Sequence, residues 1–155
     1  MKNFPTFEAM AACAGQEVAL TDWTTITQPQ INQFASATGD HQWIHVDEAR
    51  ARTGPFGSTV AHGFLTLALI PQFLASAVQV QQPGTAVNYG LGKVRFPSPV
   101  PVGSRLRARL GLLTAQPVAS AGPPAVQITW QVQIERENSD KPVCVAELLV
   151  RYYPQ

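Results

Sequence analysis

Ala61-His62-Gly63-Phe64-Leu65-Thr66-Leu67-Ala68-Leu69-Ile70-Pro71-Gln72-Phe73-Leu74-Ala75-Ser76-Ala77-Val78-Gln79-Val80 could cross a membrane or fill a core, and the fold turns on which it does. It is about as long as a membrane span, and it lies inside a forty-residue segment, Thr53 to Gly92, with no Asp, Glu, Lys or Arg. Yet it contains His62, Gly63, Thr66, Pro71, Gln72, Ser76 and Gln79. Its densest apolar run, Phe64 to Ile70, is interrupted by Thr66 and is far too short to span. No basic cluster flanks it to set an orientation. The stretch reads as a helix from about Ala61 to Val80, buried in a core and bent at Pro71.

Outward from that helix, the 155-residue chain is 45% hydrophobic and 14% charged, with a net charge of +1. Such a length makes one domain, residues 1–155, with enough chain to bury a real core. Disordered chains are charge-rich and apolar-poor, so disorder is excluded as an overall description. A broad nucleic-acid footprint needs a basic excess that is absent here. Met1 to Ala12 has no long apolar core of the kind a signal peptide carries. With only Cys13 and Cys144, reduced thiols and a cytoplasmic location are expected.

Upstream, an early strand is predicted around Val18–Ile26. Thr27-Gln28-Pro29-Gln30 then carries a capping Thr, a first-turn Pro and a Gln three residues on, a helix start. Ile31, Phe34 and Ala35 give this helix an apolar stripe and Gly39 suits its end. A short helix is expected from Asp47 to just before Gly54. Downstream, Val126, Ile128, Trp130, Val132 and Ile134 alternate with polar residues, and Leu106, Ala108, Leu110 and Leu112 alternate with Arg105, Arg107, Arg109 and Gly111. Period-two patterning marks strands with one wet face. Val87, Tyr89 and Leu91 share one phase and Val94 and Phe96 the other, so a bulge is expected at Gly90–Gly92. The Pro/Gly-rich pieces Phe96–Gly103 and Gln116–Pro124 read as loops. Asn138 to Pro142 reads as a turn into a last strand, Val143–Tyr153. The order is strand, helices, buried helix, four strands. That is α+β, an antiparallel sheet wrapped on one helix.

All three histidines, His41, His45 and His62, fall close to Asp40 in a chain poor in ionisable groups. Three readings are open. His41 and His45 are four apart, as zinc-binding histidines on one helix face would be, but the Glu of H-E-x-x-H is missing and Gly39 interrupts a helix. Asp40 and His45, brought together in a turn, could activate water and deliver a proton, or form a plain structural pair. Finally, Ser58 or Thr59 could cap the long helix, leaving N–H groups near Gly63 to face a developing oxyanion. The plain alternative there is a capped helix whose glycine packs tightly against the sheet.

Phe34-Ala35-Ser36-Ala37-Thr38-Gly39-Asp40-His41-Gln42-Trp43-Ile44-His45, followed by Ala61-His62-Gly63-Phe64-Leu65, resembles the signature of the MaoC-like (R)-specific enoyl-CoA hydratases. Asn88-Tyr89-Gly90-Leu91, Val94-Arg95-Phe96, Pro99-Val100 and Gly103 resemble the strand and exit loop that follow. Family members commonly show Gly-Asp-x-Asn-Pro-x-His. Here Gln42 stands for the Asn and Trp43 for the Pro, a form similar to the nodulation protein N branch. The resemblance implies a hot-dog fold, in which a curved antiparallel sheet wraps a long helix and two units pair as a homodimer.

It also implies reversible hydration of trans-2-enoyl-CoA to (R)-3-hydroxyacyl-CoA. Asp40 and His45 take the catalytic roles, the Gly63 backbone N–H receives the thioester oxygen, and Gln42, Ala61, His62, Tyr89 and Gly90 adjoin the substrate. The long helix and sheet would line an acyl tunnel. Arg50, Arg52, Lys93 and Arg95 could meet the phosphates of coenzyme A. No metal and no cofactor beyond the coenzyme A of the substrate are implied. The alternatives are a 3-hydroxyacyl dehydratase acting on acyl carrier protein, and a non-catalytic acyl-thioester binding protein.

Overall fold

The period-two segments form the strands they predict. In the computed structural model, which describes residues 1–119 and 124–155, β6 (Arg105–Val118), β7 (Ala125–Arg136) and β8 (Cys144–Pro154) pair antiparallel as consecutive neighbours. β5 (Gly84–Arg95) joins the far side of β8, and β2 (Gln16–Leu20) joins β6, giving the order β2-β6-β7-β8-β5. β3 (Thr24–Thr25) extends the β6 edge. Leu106, Ala108, Leu110, Ile128, Trp130, Val132 and Ile134 all point inward and are fully buried. Each large aliphatic or aromatic side chain in that row contributes about 1.5–3 kcal/mol by leaving water. The other face carries an ion-pair ladder, in which Arg107 and Arg109 bond Glu135, and Arg109 also reaches Glu17.

Against the apolar face lie the helices. α1 (Phe7–Ala11) buries Phe7 and Met10, and β1 (Lys2–Phe4) pairs in parallel with β4 (Val78–Val80). The N-terminal pattern is too short to show either β1 or α1. α2 (Gln28–Thr38) starts with the expected capping box: Gln30 Oε1 accepts from the Thr27 N–H and Thr27 Oγ1 from the Gln30 N–H. It ends at Gly39, whose φ of 78° is left-handed and favours glycine.

Several expectations need correction. The early strand is two pieces, because the Thr21 hydroxyl takes the Ala108 N–H and turns the chain between β2 and β3. The long helix is also divided, into α5 (Gly63–Ala68) and α6 (Ile70–Ala77). Pro71 cannot donate the N–H that would bridge the two and crowds the preceding turn. Val78 to Val80, which the sequence extends as helix, peel off as β4. Nor is this helical segment buried all round: Leu65, Thr66, Ile70, Phe73 and Ala77 face the core, while Phe64 is 70% exposed. Gln116 to Val118, expected as loop, extend β6 and pair with Gln127, Val126 and Ala125. The remainder of that expected loop, at 120–123, lies outside the described residues.

The bulge in β5 is present, with register shifts between Asn88 and Gly90 and between Leu91 and Val94. Among the described residues no helix is long and apolar enough to cross a membrane. A curved antiparallel sheet packed on a central, broken helix is the hot-dog fold that the motif implies.

Candidate active site

Gly39 ends α2 and releases the chain into Asp40, whose carboxylate Oδ1 accepts weakly from the Gln42 N–H at 3.4 Å. A short helix not expected from sequence, α3 (Trp43–Val46), follows at once and carries His45 inward; α4 (Glu48–Ala51) then starts from Asp47, as predicted. Gln28, in the first turn of α2, ties this corner together. Its Nε2 donates to the His45 carbonyl at 2.8 Å, and its Oε1 accepts from the Thr59 hydroxyl at 2.5 Å. Nothing in the sequence singles out Gln28, because a Gln in a first helical turn is an ordinary helix former.

Thr59 is thus spent on Gln28, and the chain from Thr59 to Ala61 is extended, bonded to the Val100–Val102 segment. The expected capping of the long helix by Ser58 or Thr59 therefore does not occur. The helix starts later, with His62 at its N-cap and no side-chain cap bond. That shift turns His62 inward to 2% exposure, beside His45 at 7%.

The two imidazoles stack, with centroids 3.7 Å apart and planes at 25°. His45 Nδ1 lies 2.6 Å from the Val60 carbonyl and His62 Nε2 3.0 Å from the Asp40 carbonyl. A carbonyl oxygen only accepts, so each of those nitrogens carries its proton and His45 keeps a lone pair on Nε2. The Asp40 carboxylate, 54% exposed, stands 4.0 Å from His62 Nε2. Burial holds the His45 pKa below its ordinary 6.5. The Val60 bond opposes that shift, the neighbouring His62 adds to it, and Asp40 opposes it.

Donor atoms of Asp40, His45 and His62 all lie within 4.8 Å of one another. A metal would have to draw on this group rather than on His41 and His45, since His41 is exposed and off the cluster. Two of the four ring nitrogens are already committed to carbonyls. What the cluster presents outward is a carboxylate and a neutral imidazole lone pair, two acceptors that can take a proton from a bound molecule and, once protonated, give it back.

Of the other expected residues, Gln42, Ala61 and Gly63 adjoin this cluster along the chain. The Gln42 contribution to Asp40 comes from its backbone N–H. Trp43, in place of the common Pro, packs against Gly54, where a Cβ would come within 3.0 Å of the indole, and lies 4.2 Å beneath the Arg50 guanidinium. Ala61 is buried and bonds the Val100 carbonyl. Gly63 opens α5, and its open Cα face is filled by Phe96, whose ring would lie 2.9 Å from a Cβ there.

Tyr89 and Gly90 are brought elsewhere, to a cleft of about 270 Å³ with Leu67, Pro71 and Leu148. A larger apolar cleft of about 360 Å³ continues beyond Pro71 and Asn88, between Leu74, Met10 and Tyr152. Tyr152 accepts a hydrogen bond from Trp130 Nε1, and burial pushes its hydroxyl up to about 12. Both cysteines are free, and burial pushes the Cys144 thiol up to about 11.

Comparison with known proteins places this arrangement. A family model described as the MaoC like domain matches residues 9–122. A protein named 3-hydroxyacyl-thioester dehydratase Z, from Mycobacterium tuberculosis, is 53% identical over 152 residues, which is 98% of this chain and 99% of that protein. Nodulation protein N of Rhizobium leguminosarum bv. viciae is 42% identical over 134 residues, 85% of this chain and 81% of the relative. Among solved structures, an R-hydratase from Pseudomonas aeruginosa matches with a TM-score of 0.67 at 25% identity, over 92% of this chain and 83% of that one. Matched by that model over most of its length, and by a relative of more than half identity almost from end to end, the chain belongs to the MaoC-like dehydratase family.

Proposed function

We propose that the protein is a hydro-lyase that interconverts (R)-3-hydroxyacyl and trans-2-enoyl thioesters, with dehydration of the 3-hydroxyacyl thioester as its principal direction. The motif alone favours hydration of enoyl-CoA. The relative covering almost the whole chain is named for dehydration, and that likeness gives dehydration precedence. The observation that carries the reading is the pairing of a half-exposed Asp40 carboxylate with a buried, neutral His45 whose Nε2 is free.

In this account His45 Nε2 takes the proton from C2, and negative charge collects on the thioester oxygen. An N–H at the start of α5, that of Gly63, has no partner within its helix and receives that oxygen. His45 then returns its proton to the departing C3 hydroxyl, which Asp40 holds by hydrogen bonding, so water leaves and the enzyme gains no net proton. Asp40 also stabilises the transient imidazolium. The acyl chain follows the helical segment away from Gly63, into the apolar clefts on either side of Pro71. The test is spectroscopic. Adding (R)-3-hydroxybutyryl-CoA should raise the enoyl-thioester absorbance, and adding crotonyl-CoA should lower it, to a common equilibrium. No change from either side, with longer chains also inert, would favour a non-catalytic binding protein.

A pH dependence follows from the depressed pKa. The working form of His45 is neutral, and a lowered pKa keeps it neutral to more acidic pH. The acid limb of kcat/KM should therefore be centred below pH 6.5. An acid limb centred above 6.5 in the rate profile would contradict this. Stability shares the sign: unfolded His45 binds its proton near 6.5 and the folded one only lower, so folding weakens as pH drops below 6.5.

We also propose a homodimer. β5 is the sheet edge and, among the described residues, pairs with β8 alone, while Val87, Tyr89 and Leu91 are each about half exposed. An edge with such side chains is satisfied by a symmetric second copy. Light scattering should give twice the chain mass at micromolar concentration. A monomer would refute the pairing.

A further inference from the structure

His62 has no duty in the chemistry described so far, yet it sits at the centre of the cluster. Its ring is 2% exposed and its Nδ1 has no hydrogen-bond partner among the described residues. An unsatisfied buried polar atom costs about 1–3 kcal/mol. If the position served only to fill the core, an apolar ring would do so without that cost, and Phe34 at 5.0 Å already shows the surroundings accept one. What an apolar ring lacks is the Nε2–H that holds the Asp40 carbonyl at 3.0 Å. The other face of the same imidazole lies against His45 at 3.7 Å.

One side chain therefore touches both acid–base residues, from a third segment of the chain. Asp40 needs such a hold: among the described residues its carboxylate is otherwise held by a 3.4 Å contact with the Gln42 N–H, and its own N–H by a 3.5 Å contact with Thr38 Oγ1, in an exposed loop. His45 is already pinned at Nδ1 by the Val60 carbonyl, but the stack fixes its ring plane.

We propose that His62 is a positioning residue for the reaction: its Nε2–H fixes the Asp40 main chain and its ring fixes the plane of His45, so that carboxylate and imidazole converge on one substrate. This rests on the hydro-lyase reading of the site. Among the described residues, His62 and Asp40 are the titratable side chains that face His45. They act in opposite directions on its proton affinity: His62 disfavours the imidazolium and Asp40 favours it.

Three measurements test this. The first needs no variant: nitrogen-correlated NMR of the imidazoles in the wild-type protein should show the proton of His62 on Nε2 and that of His45 on Nδ1. The opposite tautomer at His62 would overturn the proposal. The second compares His62→Phe, which keeps the ring and loses the donor, with His62→Gln, which keeps a donor and loses the ring. Misplacement of about 1 Å costs on the order of 10²-fold, so His62→Phe should lower kcat by about that factor with KM little changed, and His62→Gln should recover part of the loss. Equal, near-wild-type turnover in both folded variants would make His62 a core residue only.

The third reads the pH profile. Removing His62 removes a neighbour that opposes the His45 proton, so the acid limb, and the His45 NMR titration, should move to higher pH. A filler residue would change the melting temperature and leave that limb in place. If the wild type turned over no thioester, the hydro-lyase reading would fall. The tautomers and the His45 titration would still decide whether His62 orders the cluster.

Discussion

Asp40→Asn is expected to lower kcat by about 10²–10⁴-fold, the usual contribution of a positioned acid–base group, and to leave the melting temperature almost unchanged. Its side chain is over half exposed and makes one long hydrogen bond, so little folding energy depends on it. Asn keeps the shape and removes the charge that supports the His45 imidazolium. His45→Gln should cost a comparable factor but behave differently in the melt. It removes a buried ring that bonds Val60 and stacks on His62, and a buried acceptor left unpaired costs about 1–3 kcal/mol. The two variants should therefore separate: both inactive, one as stable as wild type and one less so. Paired turnover and thermal-melt measurements check this, and normal turnover in either would remove that residue from the mechanism.

The largest expected effect on stability lies far from this chemistry. Trp130 is fully buried in the middle of β7, in register with Leu112 on one side and Leu148 on the other, and its Nε1–H bonds the Tyr152 hydroxyl. Trp130→Ala opens a cavity at the centre of the sheet and should cost about 3–5 kcal/mol. That corresponds to a melting temperature lower by on the order of 10 °C. The loss includes one hydrogen bond to Tyr152, while the cavity dominates. Trp130→Phe refills most of the space and should recover the larger part. Urea denaturation curves of the three proteins measure the difference. A small loss for the Ala variant would mean the sheet centre collapses to fill the space.

What made the sheet legible was alternation. Leu106 to Leu112 and Val126 to Ile134 reveal their inner faces because polar residues, or Gly111, intervene at every second position. β5 showed its bulge for the same reason, at Gly90–Gly92. Helices were legible where a local device marks them, as the Thr27/Gln30 box and Gly39 mark α2. The uncharged stretch was harder. Absence of charge says that a segment avoids water, but it does not say where backbone hydrogen bonding stops. Pro71 suggests a bend but the helix breaks there, since the missing N–H is followed by β-branched Val78 and Val80 that find a strand partner in Lys2–Phe4.

The site was half legible. Asp40 and His45 could be chosen because they are rare ionisable groups at a recognisable spacing. The role of His62 depends on where α5 begins, which Thr59 settles by bonding Gln28, 31 residues away in sequence. No local pattern encodes that contact. Gly63 is tightly packed, but the residue that fills the space at its Cα is Phe96, a contact that no local pattern marks.

In the proposed reaction Asp40 and a neutral His45 move a proton and water across C2 and C3 of an acyl thioester. The most direct measurement is hydration of crotonyl-CoA by the wild-type protein in parallel with Asp40→Asn, with the product resolved by chirality. The wild type should give (R)-3-hydroxybutyryl-CoA, and the variant a rate lower by about 10²–10⁴-fold. An S product, or equal rates from the two proteins, would contradict it.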